Sequence, residues 1–284
     1  MRYKYCINLF DELYKYQYVC LKGEPLSLQA YGKLGYRYSS DIDILVLRKD
    51  LHGIEDVLRR HGFFSTSSSR EDKIFMLSSS HQIAPYLKNI KQWGSVIIDI
   101  NLDILWGEFS DKRINISEFI SNHVELNIYD CKVKALSPLK SLIQVALHHY
   151  NHINSIYHLI VDGWINPTLF RDIYYLWKNN RDVITLDNLY HVAYEYGVVK
   201  YMYYMLYFTN KIYDDMDLQN FVDVFKTIDG VALLDCYGLS NEERKLWKIG
   251  FKERLEYENL SEIIKSDLNE KDFQKLERLK SIFG

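Results

Sequence analysis

Cys20–Val46 reads CLKGEPLSLQAYGKLGYRYSSDIDILV. Near its end two aspartates, Asp41 and Asp43, stand one residue apart in the run DIDILVL. Aspartate is a poor strand former, and its charge is costly to bury unless it is paired. The run nevertheless predicts a strand. Residues i and i+2 of a strand share a face, so Asp41 and Asp43 project together, roughly 7 Å apart at Cα. Ile42 and Ile44 then point the other way, into a core. Two carboxylates held this close repel each other unless positive charge lies between them.

A second strand supplies a further carboxylate. SVIIDINLDILW, from Ser95 to Trp106, alternates strongly, with Asp99, Asn101 and Asp103 on one face. If it lies beside the first strand, Asp99 completes a set of three. Hard oxygen ligands suit Mg²⁺ or Mn²⁺. Two such ions about 4 Å apart clamp the attacking and leaving oxygens of a phosphoryl displacement. Upstream, Lys22-Gly23 ends a short extended run and precedes a helix. Glycine there lets backbone N–H groups approach phosphate, and a helix N-terminus favours negative charge. Arg37 is placed to reach a phosphate oxygen, with the hydroxyls of Ser39 and Ser40 beside it. A D-x-D pair alone also fits a solvated strand end or an Asx-turn at Asp41. The ordered set of strand, Lys-Gly, helix, Arg, Ser-Asp-x-Asp strand and later carboxylate strand favours the catalytic reading.

Around this centre the first half predicts mixed α/β structure. INLFDELYKY and DLHGIEDVLRRHGF read as helices, the latter stopping at Gly62. KIFMLS and QIAPYL read as short strands, the second weakened by Pro85, and VELNIYDCKVKAL as a hairpin or edge pair. From Ser137 the pattern is helical. SPLKSLIQVALHHYNHI opens with Ser137 as N-cap and Pro138 at the first helical position, and Asn166-Pro167 repeats the signal. A helical run is interrupted at Gly197, Ser240 and Glu243 form a capping-box pattern, and an amphipathic helix or pair closes the chain. The expected architecture is an α/β (α+β) domain over 1–135 with a short mixed sheet, then an all-helical domain over 136–284.

Bulk properties narrow the alternatives. With 284 residues, 48% hydrophobic and 26% charged, the chain is long enough for two modest packed domains. A formal net charge of −3 gives no general attraction to nucleic acid or membrane, so neither is expected as a partner. The four cysteines are scattered without a C-x-x-C pair, which reads as reduced thiols and a cytoplasmic location. The charged N-terminus is no signal peptide, and the apolar run near Val198 is too short to span a bilayer. No P-loop, dinucleotide fingerprint or nucleophile elbow is present. His148, His149, His152 and His158 cluster locally; His148 and His152 share a helix face at metal-compatible spacing, without an H-E-x-x-H motif.

The ordered set resembles the DNA polymerase β-like nucleotidyltransferase superfamily, and within it a bacterial branch of uncharacterised nucleotidyltransferases. The residues that carry the resemblance are LKGEPLSLQAYG, Arg37 and SDIDILV, followed by IDINLDILW, LIQVALHHYNHI and RDIYYLW, and it extends to about residue 210. Lys-Gly replaces the superfamily's usual Gly-Ser, as in the branch, and Asn101 stands where the branch has histidine. The resemblance implies transfer of a nucleoside monophosphate from a nucleoside triphosphate, with ATP the expected nucleotide, and release of pyrophosphate. It implies Asp41, Asp43 and Asp99 as catalytic metal ligands for Mg²⁺ or Mn²⁺. Lys22, Gly23, Arg37, Ser39 and Ser40 would border the nucleotide. The acceptor, a small molecule, peptide or protein, would meet His148, His152, Asn101 and Asp103, with Tyr150 or Tyr157 nearby. Two other readings stay open: an RNA-directed transferase, and a non-catalytic nucleotide- or partner-binding protein on this fold.

Overall fold

A computed structural model describes residues 2–66, 69, 71, 74, 76, 81–91, 94–106 and 114–283. The chain divides into two compact units. The first takes in Met1–Gly107, Arg113–Leu142 and Leu176–Ile184, and the second holds Ile143–Tyr175 and Thr185–Gly284.

The first unit is built on a seven-stranded mixed sheet. In chain order its strands are β1 (Tyr18–Leu21), β2 (Ile42–Val46), β3 (Phe64–Ser65), β4 (Tyr86–Ile90), β5 (Gly94–Asn101), β6 (Val124–Ile128) and β7 (Cys131–Ala135). Their spatial order is β3-β4-β5-β2-β1-β7-β6. β2 lies at the centre, antiparallel to β1 and parallel to β5. The period-two alternation of β2 decides its orientation. Ile42, Ile44 and Val46 join Ile98 and Ile100 of β5 in a core with Leu9, Phe10 and Leu13 of helix α1 (Ile7–Leu13) and Ile54, Val57 and Leu58 of helix α3 (Leu51–Arg60). Full burial of one such aliphatic side chain contributes about 1.5–3 kcal/mol. A one-residue slip would turn the whole set outward, so the apolar pattern fixes the register.

Local signals account for the connections. Helix α2 (Gly23–Tyr31) carries Pro25 in its first turn, where no intrahelical N–H partner is needed, and ends on Gly32 in the left-handed region at φ 68°. Gly62 closes α3 at φ 81°. The β6–β7 hairpin turns through Tyr129 and Asp130, both at positive φ, as a two-residue loop compatible with strand twist requires. At its C-terminal end α2 is held from far along the chain. Asn179 Nδ2 donates to the Ala30 carbonyl at 2.7 Å and Asn180 Nδ2 to that of Gln29 at 2.9 Å.

The second unit is helical apart from a small hairpin, Cys236–Tyr237 with Lys245–Leu246. Its helix Val199–Tyr213 is apolar on nearly all sides, and such a helix belongs in a core. Tyr150 packs against Tyr201 and Tyr204, with ring centroids 4.7 and 5.0 Å apart. No helix among the described residues is long and apolar enough to cross a membrane.

Three sequence expectations are corrected here. The strand expected to run to Trp106 ends at Asn101, because Asp103 Oδ1 accepts from the N–H groups of Ile104 and Leu105 and turns the chain. KIFMLS lies largely outside the described residues, and its two described positions, Ile74 and Met76, are helical rather than extended. A short apolar run has no period long enough to separate the two states. Finally, Ser240 does accept from the Glu243 N–H, but no helix follows. The chain enters the small hairpin instead, and the helix starts after Gly250, where Glu253 caps the Gly250 N–H (Phe251–Glu256).

Candidate active site

β2 and β5 bring the carboxylates together. Asp43 and Asp99 are direct register partners on these parallel strands, on the sheet face opposite the isoleucine core. Asp41 immediately precedes β2, and its charge acts on both. Asp43 is nearly enclosed, with 5% of its side chain exposed, and forms an ion pair with Lys22 Nζ at 2.9 Å. Lys22 follows Leu21, which is paired with Asp43 across β1 and β2, so the sheet register itself places the ammonium group.

Supporting polar groups aim the acids. Ser39 Oγ donates to Asp41 Oδ1 at 2.7 Å, and Asn101 Nδ2 approaches Asp43 Oδ1 at 3.4 Å. Ser27, fully buried on α2, organises the loop that leads to Asp41. Its hydroxyl donates to the Lys33 carbonyl and accepts from the N–H groups of Tyr36 and Arg37. Glu24 holds the same loop by accepting from the Gly35 N–H at 2.9 Å. The loop also crosses close to the start of α2. A Cβ added to Gly23 would sit 3.4 Å from Ser39 Cβ, on a backbone whose φ of +46° disfavours any side chain.

Electrostatics within the cluster are unbalanced. Burial pushes the Asp99 carboxyl up to about 7, with the charges of Asp43 and Asp41 adding to the effect and Lys22 opposing it. Burial likewise raises Asp43, against the pull of Lys22. Asp99 Oδ1 is buried with no hydrogen-bond partner among the described residues. A set of converging carboxylate oxygens, one lacking a partner and one acid held near neutrality, fits a hard divalent cation by its donor chemistry.

The raised Asp99 carboxyl has a measurable consequence. An unfolded aspartate titrates near 4, so between about 4 and about 7 the folded chain binds more protons than the unfolded one. Its stabilising contribution is complete below the lower value and is lost as the pH rises through the upper one. In chelator-treated protein, Asp99→Asn should therefore raise the melting temperature over wild type at pH 8 and change it little at pH 4. Parallel displacement at both pH values would contradict the raised carboxyl.

The remaining candidates are placed as follows. Gly23 begins α2, Arg37 is half-buried in the Ser27-anchored loop, and Ser40 is exposed beside Asp41. Asp103 lies beyond β5 in its turn. His148 and His152 belong to the second unit, half-buried on the helix Pro138–Asn154. Of Tyr150 and Tyr157, the two alternatives expected beside them, Tyr150 is 1% exposed within the helical core, where its ring packs on other tyrosines, and Tyr157 is half-buried. Two contributors were missed from sequence: Ser27 and the side chain of Lys22 as partner of Asp43. The only signal for Ser27 is a hydroxyl on the inward face of an apolar helix.

The family model described as "uncharacterised nucleotidyltransferase" matches residues 5–214. The chain belongs to this family. Membership places it among proteins of the nucleotidyl-transferring class. No curated protein matches the chain. Among solved structures, it is similar to the lincomycin-bound lincosamide antibiotic adenylyltransferase LnuA at 14% identity, over 63% of this chain and 96% of that one, with a TM-score of 0.37. The antibiotic-resistance factor ANT(2'')-Ia aligns at 12% identity over 71% and 94%, with a TM-score of 0.41. An antigenic nucleotidyltransferase-like protein from Paracoccidioides brasiliensis aligns at 16% over 62% and 75%, with a TM-score of 0.38.

Proposed function

We propose that this family member transfers a nucleoside monophosphate from a nucleoside triphosphate, ATP being the expected donor, to a hydroxyl or phosphate oxygen of a small-molecule, peptide or protein acceptor. The observation that carries the reading is the cross-strand pairing of Asp43 with Asp99, with Asp41 and Lys22 in the same electrostatic cluster. Asp41 and Asp43 would hold two Mg²⁺ or Mn²⁺ ions, and Asp99 the one on the acceptor side. When bound, these ions neutralise charge on the phosphates and on the attacking oxygen.

The chain's own groups do the rest. The α2 N-terminus at Gly23 presents backbone N–H groups to phosphate, beside Lys22. Arg37 and Ser40 donate to phosphate oxygens, while Ser39 orients Asp41. Asp99 is assigned the proton of an acceptor hydroxyl as the acceptor oxygen bonds to the α-phosphorus. The bond from that phosphorus to the bridging oxygen breaks, and pyrophosphate leaves. Asn101 and Asp103 are assigned to the acceptor side. Catalysis on this scheme is chiefly positioning and charge neutralisation.

A titration of the purified protein with each nucleoside triphosphate, with and without Mg²⁺, followed by pyrophosphate-release assays, tests the proposal. Binding without dependence on Mg²⁺ and without release would favour a non-catalytic binding protein. Arg37→Ala is expected to weaken nucleotide affinity by about 1.5–3 kcal/mol if the guanidinium makes one charge-assisted bond. Calorimetry showing unchanged affinity would remove Arg37 from the phosphate site.

A further inference from the structure

A second constellation of ligating side chains lies wholly in the second unit. The helix Pro138–Asn154 ends shortly after His152, and the chain turns through Ser155 in extended conformation into the helix Ile156–Val161. The turn folds His158 back onto His152, and their rings stack with centroids 3.9 Å apart and planes at 25°. One helical turn beyond His158 comes Asp162, whose N–H bonds to the His158 carbonyl at 2.8 Å. The two Nδ1 atoms face the same carboxylate oxygen. Asp162 Oδ2 is 3.9 Å from that of His152 and 3.7 Å from that of His158.

These separations are too long for hydrogen bonds. They are close to what a shared ion requires. Ligands about 2.0–2.2 Å from a tetrahedral ion stand roughly 3.4 Å from one another. The three donor atoms all lie within 4.8 Å of each other, so side-chain adjustments of a few tenths of an ångström to about 1.5 Å close the set. The neighbours brace it. His148 meets the His152 ring edge-on at 4.4 Å, and Tyr157 meets the His158 ring edge-on at 5.3 Å. The ligands are 32%, 26% and 45% exposed, so an ion has access from solvent and keeps a position for water.

We propose that His152, His158 and Asp162 form a binding site for a borderline divalent cation of the Zn²⁺ type. Two imidazoles and one carboxylate suit such an ion, whereas Mg²⁺ prefers oxygen ligands throughout. The site is thereby distinct in chemistry from the three-aspartate cluster and does not depend on the nucleotidyl-transfer reading. Three protein ligands with one open position match a site that exchanges water or a ligand rather than a closed structural one.

The test uses the full chain, stripped with a chelator and kept in excess Mg²⁺ at pH 7.5, where neutral imidazole is available. Titration with Zn²⁺ is expected to show one site that Mg²⁺ does not compete for, and Co²⁺ to give visible absorption bands of a low-coordinate ion. His158→Ala and Asp162→Asn should each weaken binding at least about tenfold. The pair Asp41→Asn with Asp43→Asn should leave it unchanged. Circular dichroism of each variant shows that the helices persist. Zn²⁺ binding that is absent, that survives His158→Ala and Asp162→Asn, or that vanishes with the Asp41 and Asp43 substitutions overturns the proposal.

Discussion

Asp41→Asn is expected to lower nucleotidyl transfer by at least about 10³-fold, roughly 4 kcal/mol of barrier, and to leave the fold in place. The substitution keeps the shape of the side chain and removes one negative charge from a cluster that repels itself. Asparagine still accepts the Ser39 hydroxyl, so the loop stays anchored. What disappears is a ligand charge on which both bound ions would rely. Asp43→Asn should be equally inactive, but it also removes the charge that pairs with Lys22, so Asp41 is the cleaner test. Two readouts are available before any acceptor is known: pyrophosphate release on standing with nucleotide, and the Mg²⁺ dependence of nucleotide affinity. Wild-type behaviour of Asp41→Asn in both would remove the carboxylates from the chemistry.

The largest expected effect on stability is at Lys22. Its side chain is 12% exposed and its partner, Asp43, 5%. Removing one member of a largely buried pair leaves the other uncompensated, at a cost of about 3–5 kcal/mol. Lys22→Met should approach the lower end, because Asp43 escapes the cost by taking a proton. Burial already raises that carboxyl, and loss of Lys22 raises it further. The destabilisation should therefore be smaller at pH 5 than at pH 8. Adding Asp43→Asn to Lys22→Met should recover much of the loss. Urea unfolding at the two pH values gives the comparison. A single variant as stable as wild type at pH 8 would mean that the pair is not what holds β1 and β2 together at this end.

The central strands were legible because their chemistry is unusual. Ile42, Ile44, Ile98 and Ile100 alternate with acids that no ordinary core would admit, and a period of two assigns each set to a face. The order of the motifs then supplied the family. Other features obey rules that operate at a distance. Asp103 looked like the next member of an alternating face, yet its carboxylate satisfies two local N–H groups and ends the strand. Ser240 and Glu243 carry a genuine cap, but a cap only permits a helix, and the following segment found a strand partner instead. Tyr150 looked like a binding residue, and only the packing of three helical tyrosines shows it as core. The sequence shows Ser27 only as a hydroxyl on an inward helix face, because its importance lies in which loop folds over it.

The two asparagines that close α2 have a consequence for the order of assembly. Asn179 and Asn180 reach carbonyls at Ala30 and Gln29, roughly 150 positions earlier in the chain. Gln29 is tied in turn to the Leu136 carbonyl at 2.7 Å. During synthesis the sheet strands through Ala135 emerge first, but the helix that carries Gly23 at its head keeps bare carbonyls at its tail until residues beyond 180 leave the ribosome. The C-terminal end of α2 is thus completed by a segment translated late, and loop closure of this length is slow. A nascent chain halted at residue 142 would carry every proposed catalytic carboxylate and still lack its last tertiary clasp.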